Sequence, residues 1–127
     1  MSNENFWGDL SELEIVRTPK NILMEQANFL TNATEGLLIG QVDDERTSVP
    51  HFRYSLEVRV PGLNNYIFTI LAIDHSLELY PVEVYLTFKR ETVIMCSNQN
   101  EFESLLKENL ASKDVKLILS RLLSQVR

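Results

Sequence analysis

The stretch HFRYSLEVRV, residues 51–60, decides the fold class because apolar and polar side chains alternate along its whole length. Successive side chains of a β-strand point to opposite faces, so this alternation predicts a strand with one buried face and one polar face. The apolar positions are Phe52, Tyr54, Leu56, Val58 and Val60, and the polar positions are His51, Arg53, Ser55, Glu57 and Arg59.

Further strands are predicted on both sides of this stretch. The segment YIFTILAI, 66–73, has apolar residues at both odd and even positions, which is typical of a central strand with both faces covered. The segments LLIGQV, 37–42, VEVYLTF, 82–88, and ETVIMC, 91–96, give three more strands. The links are short, such as the turn PGLNN at 61–65, and short links favour antiparallel pairing. The sequence therefore predicts a mainly antiparallel five-stranded sheet.

A helix is predicted before the sheet. Thr18 can cap a helix with its hydroxyl, and Pro19 suits the first helical position because its missing N–H would have no partner there. The apolar residues that follow, including Phe29, recur at helical spacing and form one wide stripe. Gly36 then ends the pattern. These signals predict a helix over residues 19–34 that lies on the core.

Two helices are predicted after the sheet. Asn98, with Glu101 three residues later, is typical of a capping box, and Ser112 can cap the second of these helices. Leu117 falls almost opposite the apolar stripe of that last helix, so it is either a solitary exposed leucine or a contact residue. The order of one helix, a sheet and then two helices predicts an α+β fold.

The first residues are organised differently from the rest. Residues 1–17 are predicted to form an amphipathic arm, and residues 18–127 a single α+β domain. Phe6 and Trp7 are the large aromatic residues of the arm. Two interpretations are open for the arm: it packs back on its own domain, or its aromatics anchor a protein partner or a second subunit in a homodimer.

Composition and charge exclude several classes of partner. The chain of 127 residues has a net charge of −6, so its field repels phosphate, and nucleic acid is not an expected partner. Membrane association is not expected either, because no apolar run approaches the roughly 20 residues that span a bilayer. Cys96 is the only cysteine and cannot form an internal disulfide, which favours a reducing compartment. The expected location is the cytoplasm.

Asp74 and His75 are the most conspicuous candidates for chemistry, because a carboxylate and an imidazole together can move protons near neutral pH. Adjacent residues of a strand point to opposite faces, so the pair is not a preformed dyad if the strand runs through it. The alternation changes phase at Tyr80-Pro81, which favours a turn at Asp74-His75. Both residues remain candidates for contact with a ligand, since loops often carry function.

Other groups of residues give no site. Asp43-Asp44-Glu45 is interpreted as a solvated acidic loop, because it lacks the alternating oxygen ligands and the glycine of a calcium loop. Two histidines and one cysteine do not make an ordinary structural zinc site. The sequence therefore predicts no metal and no cofactor, and it contains no recognised catalytic motif.

The polar face of the sheet is the remaining candidate surface. It would carry Arg53, Glu57 and Arg59 on one strand and Tyr85 on another, and arginine and tyrosine are enriched at interfaces. The sequence thus favours a small, acidic, soluble, non-catalytic protein-binding module of an accessory, chaperone or inhibitor-like kind. The alternative is a small-molecule-binding domain or an enzyme, with a pocket between the sheet and the helices.

Overall fold

The computed structural model describes residues 3–46, 50–90 and 92–127. The predicted α+β fold is confirmed: one helix precedes a five-stranded antiparallel sheet and two helices follow it. In chain order the elements are a 3-10 turn at Leu10–Glu12, α1 at Pro19–Ala33, β1 at Ile39–Arg46, β2 at Phe52–Val60, a 3-10 turn at Pro61–Leu63, β3 at Tyr66–His75, β4 at Val82–Leu86, β5 at Thr92–Cys96, α2 at Gln99–Leu110 and α3 at Lys113–Val126.

The sheet is a meander in which every strand pairs with the next strand along the chain, in the order β1-β2-β3-β4-β5. All four pairings are antiparallel. A bulge between Leu56 and Glu57 shifts the register of β2 against β3. β1 and β5 are therefore the two edges of the sheet.

The first strand is longer than predicted, and the interpretation of Asp43-Asp44-Glu45 as a loop is wrong. β1 continues to Arg46, and these three acidic residues lie in it. Pairing with the long, alternating β2 holds the acidic segment extended, because the ladder with β2 outweighs the low intrinsic strand preference of aspartate and glutamate.

The third strand also continues past its predicted end. Asp74 and His75 lie in β3, opposite Arg53 and Phe52 of β2, so the predicted turn at this pair is wrong. At the other end of β3, Tyr66 and Ile67 are half exposed. The prediction that both faces of this strand are covered is therefore wrong at its start.

One hydrophobic core lies between the sheet and the three helices. The register places Leu56, Leu71, Val84 and their paired neighbours on the same face, where they join buried residues of all three helices. Phe102 of α2 is among the fully buried members. The opposite face, called the outer face below, carries the polar residues of the strands.

The junction of α1 and β1 is unusually close. A methyl group built at Gly40 would lie 2.3 Å from the carbonyl oxygen of Ala27 in α1, so only glycine fits there. The N–H of Gly40 donates to the hydroxyl of Thr31 at 2.9 Å, and that hydroxyl donates to the carbonyl of Ala27 at 3.2 Å. Backbone contact and a side-chain hydrogen bond thus fasten the start of β1 to the helix.

The helices begin as the sequence indicates, with differences in detail. Thr18 caps α1, and Asn21 completes a capping box that the sequence analysis did not anticipate. Asn98 caps α2, and the carboxylate of Glu101 accepts hydrogen bonds from the N–H of Ser97 at 3.0 Å and from the side-chain amide of Asn98 at 3.4 Å, not from the backbone N–H of Asn98 as in a capping box. Phe29, which was predicted to lie in the apolar stripe of α1, is exposed.

Candidate binding surfaces

The outer face of the sheet brings together several of the predicted site residues. Arg53 and Tyr85 are in contact there: the guanidinium carbon lies 5.2 Å from the centre of the tyrosine ring, a cation–π geometry. Arg53 also forms an ion pair with Glu45 of β1, with 3.4 Å between Nε and Oε2. The Tyr85 hydroxyl donates to Glu83 at 2.5 Å, and this carboxylate, together with partial burial, raises the pKa of the tyrosine. These side chains therefore bind mainly to one another.

Glu57 and Arg59 of β2 are joined through a residue of β1. The amide nitrogen of Gln41 donates to Glu57 at 2.9 Å, and the Nε of Arg59 donates to the amide oxygen of Gln41 at 3.3 Å. Arg59 also donates to Asn65 at 2.9 Å. Cross-strand pairs of this kind each contribute roughly 0.2–1 kcal/mol to a sheet. At this end of the outer face, a network of side-chain hydrogen bonds links β1 and β2.

Asp74 and His75 do not meet. Asp74 lies on the outer face, where one of its oxygens is 2.6 Å from Nδ1 of His51. His75 points to the opposite face and is buried. The carboxylate and the imidazole of this adjacent pair are therefore held apart by strand geometry.

The His75 ring is held mainly by packing. It stacks on Phe52 with 5.5 Å between ring centres, and Nδ1 lies 2.7 Å from the carbonyl oxygen of Ser76. Because a carbonyl can only accept, Nδ1 carries the proton, and Nε2 is buried without a hydrogen-bond partner among the described residues. A shallow cavity of about 300 Å³ adjoins the ring, lined by Lys20 and otherwise largely by aromatic and aliphatic side chains.

The N-terminal arm is the most exposed apolar segment among the described residues. Phe6 is 92% exposed and Trp7 is 81% exposed, and Ile15 is almost completely exposed as well. The predicted amphipathic pattern produces only the short 3-10 turn at Leu10–Glu12. The interpretation that Phe6 and Trp7 pack on their own domain is therefore wrong for this structure.

Arg17 marks the point where the arm meets the domain. Its guanidinium donates to both oxygens of Glu25 in α1, at 2.9 and 3.0 Å, and to Glu103 in α2. The two carboxylates raise the pKa of this arginine further above its ordinary value. The ion pairs fix the end of the arm at the start of α1.

A groove between α1 and α3 is the nearest counterpart of the predicted pocket. Its volume is about 260 Å³, and its walls are mostly apolar, with Leu56 and Val58 among the sheet residues that line it. Glu57 is the only titratable residue among those that line it, and its carboxylate accepts the bond from Gln41 described above. Leu117 of α3 lies outside this groove and is about half exposed.

Neither a cluster of metal ligands nor a membrane-spanning helix occurs within residues 3–46, 50–90 and 92–127. No cluster of three or more His, Cys, Asp or Glu side chains in this part of the chain could hold a metal ion. None of its helices combines the length and the apolar character that crossing a membrane requires.

Comparison with protein-family models, with curated proteins and with solved structures found no match to this chain.

The free edge of β5 is one surface that the sequence patterns did not predict. Val93 and Met95 are 54% and 53% exposed on the outer face. The signal was present in TVIMC, residues 92–96, which contains no charged residue and no proline. Alternation of apolar residues indicates a strand, but it does not distinguish an edge strand from an inner one.

Proposed function

We propose that this chain is a non-catalytic protein-binding module that docks a protein partner through its N-terminal arm. The observation that carries the proposal is the exposure of the arm aromatics, Phe6 and Trp7. Burying a large apolar side chain stabilises a complex by roughly 1.5–3 kcal/mol, and tryptophan is among the residues most enriched at binding hot spots. The partner that fits this arm offers an apolar groove with a hydrogen-bond acceptor for the indole N–H.

The charge of the arm supports a partner of opposite sign around that groove. Residues 3–17 contain four acidic residues and one arginine, and Arg17 is already paired with carboxylates of its own domain. Exposed acidic groups around apolar anchors steer association toward a basic rim. The acidic residues are Glu4, Asp9, Glu12 and Glu14.

The outer face of the sheet supports the same function less strongly. Arg53, Glu57, Arg59 and Tyr85 have hydrogen-bond or ring partners within the chain, and a partner protein would have to compete with those contacts. The alternative function, a small-molecule binder or enzyme, draws its support from the groove between α1 and α3. That groove offers one titratable residue, and a reaction needs convergent polar groups. The buried, unpaired thiol of Cys96 fits our further proposal that the protein works in the cytoplasm.

Trp7 makes the proposal testable by fluorescence, because it is the only tryptophan in the chain. A partner is first captured from an extract with the intact protein, and then titrated into it in purified form. We expect the emission of Trp7 to shift to the blue as the indole leaves water. Phe6→Ala combined with Trp7→Ala should weaken binding by at least about tenfold, or roughly 1.4 kcal/mol.

A matched control and a competitor separate the arm from other surfaces. Phe29→Ala removes an exposed aromatic from α1 and should leave the partner bound with unchanged affinity. A peptide of residues 3–17 should compete with the intact chain. A partner that binds the arm variant as tightly as the original chain contradicts the proposal, and so does a titration of the original chain that leaves the emission of Trp7 unchanged.

A further inference from the structure

The free edge of β5 is unprotected in a way that strand edges of stable monomers seldom are. Natural proteins guard such edges with charged side chains, proline, bulges or a covering segment. β5 extends from Thr92 to Cys96 without a charge or a proline, and its register with β4 shows no bulge. Val93 and Met95 add two half-exposed apolar side chains on the outer face beside this edge.

The backbone of β5 also has unused hydrogen-bonding capacity. In an antiparallel pair, alternate residues direct their N–H and C=O groups away from the partner strand. Among the described residues, the backbone hydrogen bond that β5 makes outside its ladder with β4 is a turn contact from the N–H of Thr92 to the carbonyl of Lys89. The edge can therefore accept another strand without breaking an existing ladder.

We propose that β5 pairs antiparallel with β5 of a second copy of this chain, about a two-fold axis at Ile94. This register pairs all five residues of the strand, with Ile94 opposite its own equivalent and Val93 opposite Met95 of the second copy. The two five-stranded sheets join into one continuous sheet. The paired Val93 and Met95 side chains form one apolar patch across the junction on the outer face.

The identity of the second strand follows from self-complementarity. Identical chains most often pair about a two-fold axis, and such an interface needs a surface that matches itself. An uncharged strand meets this condition, although each chain carries a net charge of −6. The flanks have opposite charges: the two-fold axis places the basic Lys89 and Arg90 of one copy beside the segment after β5 of the other, where the exposed residue Glu101 already accepts a hydrogen bond from Ser97.

This interface goes beyond the proposed function and does not depend on it. It uses β5, whereas the proposed partner binds the arm that precedes α1. A dimer that forms through β5 leaves Trp7 exposed, so fluorescence reports the arm and molecular mass reports the edge. The failure of one proposal is therefore distinguishable from the failure of the other.

Analytical ultracentrifugation of the full chain, across about 1 to 100 µM, tests the interface. We expect a mass that rises toward twice the 14.7 kDa of one chain. Val93→Lys combined with Met95→Lys places lysines opposite each other across the axis and should raise the dimer dissociation constant by at least about tenfold. Both positions are half exposed, so the variant should fold, with a circular dichroism spectrum like that of the original chain.

A charge-swapped variant tests the register. Val93→Lys combined with Met95→Glu places opposite charges across the axis and should restore dimerisation. Asn28→Lys combined with Asn32→Lys adds the same two charges at exposed positions of α1; it is the matched control and should leave the dimer intact. A wild-type chain that stays monomeric over the whole range overturns the proposal, even if a strand from another protein binds β5. A dimer that survives the double lysine change overturns it as well.

Discussion

The two edge strands of the sheet, β1 and β5, each pair antiparallel with one neighbour, but only β1 is protected against pairing with a further strand. β1 is fastened to α1 at Gly40, whose N–H is satisfied by Thr31, and its later part carries consecutive charged residues from Asp43 onward. β5 has no charged residue and, among the described residues, no covering hydrogen bond from a helix. Charged residues and the contact with α1 prevent another strand from pairing with β1. Because β5 has neither, its edge is open to pairing with another strand.

Among changes at the two edge strands, Gly40→Ala is expected to lower the free energy of unfolding most. The added methyl group would meet the backbone of Ala27, 2.3 Å from its carbonyl oxygen, and a backbone atom cannot move aside as a side chain can. We expect a loss of about 2–3 kcal/mol in the free energy of unfolding, measured by urea denaturation.

Gly62→Ala is the control for this change. Its added methyl group would meet only the side chain of Val126, at 2.8 Å from Cγ1, and that side chain can move. A loss below about 1 kcal/mol is expected there. If Gly40→Ala is no worse than this control, the close contact between α1 and β1 is not what holds the first edge.

The next effect concerns the hydroxyl that covers β1. Thr31→Val keeps the shape of the side chain and removes the acceptor for the N–H of Gly40. An unsatisfied, partly buried N–H should lower the free energy of unfolding by about 1–2 kcal/mol. The matched change on the other edge, Thr92→Val, should alter it by less than about 0.5 kcal/mol. Equal losses at the two positions would remove the distinction between a covered and an uncovered edge.

Removing acidic residues from β1 is expected to change the free energy of unfolding less, but to increase self-association of the chain. Asp43→Val combined with Glu45→Val replaces the two acidic residues on the outer face of this edge, with the loss of the ion pair between Glu45 and Arg53 and of the hydrogen bond from the Ser55 hydroxyl to Glu45. We expect the free energy of unfolding to change by less than about 1 kcal/mol. Light scattering should show new self-association that the Val93→Lys and Met95→Lys changes do not abolish. A variant with the same mass distribution as the original chain would show that α1, not charge, protects β1.

The smallest expected effect is on the reactivity of the Cys96 thiol in β5, compared between the folded and the unfolded chain. Burial, with a contribution from the carboxylate of Glu101, raises the pKa of the Cys96 thiol. The contribution of this shift to stability is fully present below the pKa of the unfolded thiol, about 8.5, and is lost as the pH rises through the folded pKa. We expect alkylation at pH 8 to be at least about tenfold slower in the folded chain than in urea. Equal rates would mean that this edge strand opens freely.

Sequence reasoning predicted the helices and most of the strands because their signals are local. The alternation in β2 and the caps at Thr18 and Asn98 each depend on residues within a few positions. The full length of β1 was not predictable in this way. Its acidic residues favour loops by themselves, and they become a strand because β2 offers an unpaired ladder beside them.

The candidate surfaces were predicted less well, since exposure depends on the whole fold. The sequence correctly grouped apolar residues of α1 into a stripe, but α1 turns Phe29 to solvent. It placed Asp74-His75 in a turn, whereas pairing with β2 continues through both residues. The edge position of β5 follows from strand order, which short links favour but do not specify.

The meander has a consequence for the speed of folding. Each strand pairs with the strand that precedes or follows it in sequence, so no ladder requires distant parts of the chain to meet first. Loop closure costs less entropy for short separations, and sheets with such local pairing fold faster than sheets with long crossovers. We expect the sheet to grow hairpin by hairpin, with its two ends completed independently of each other.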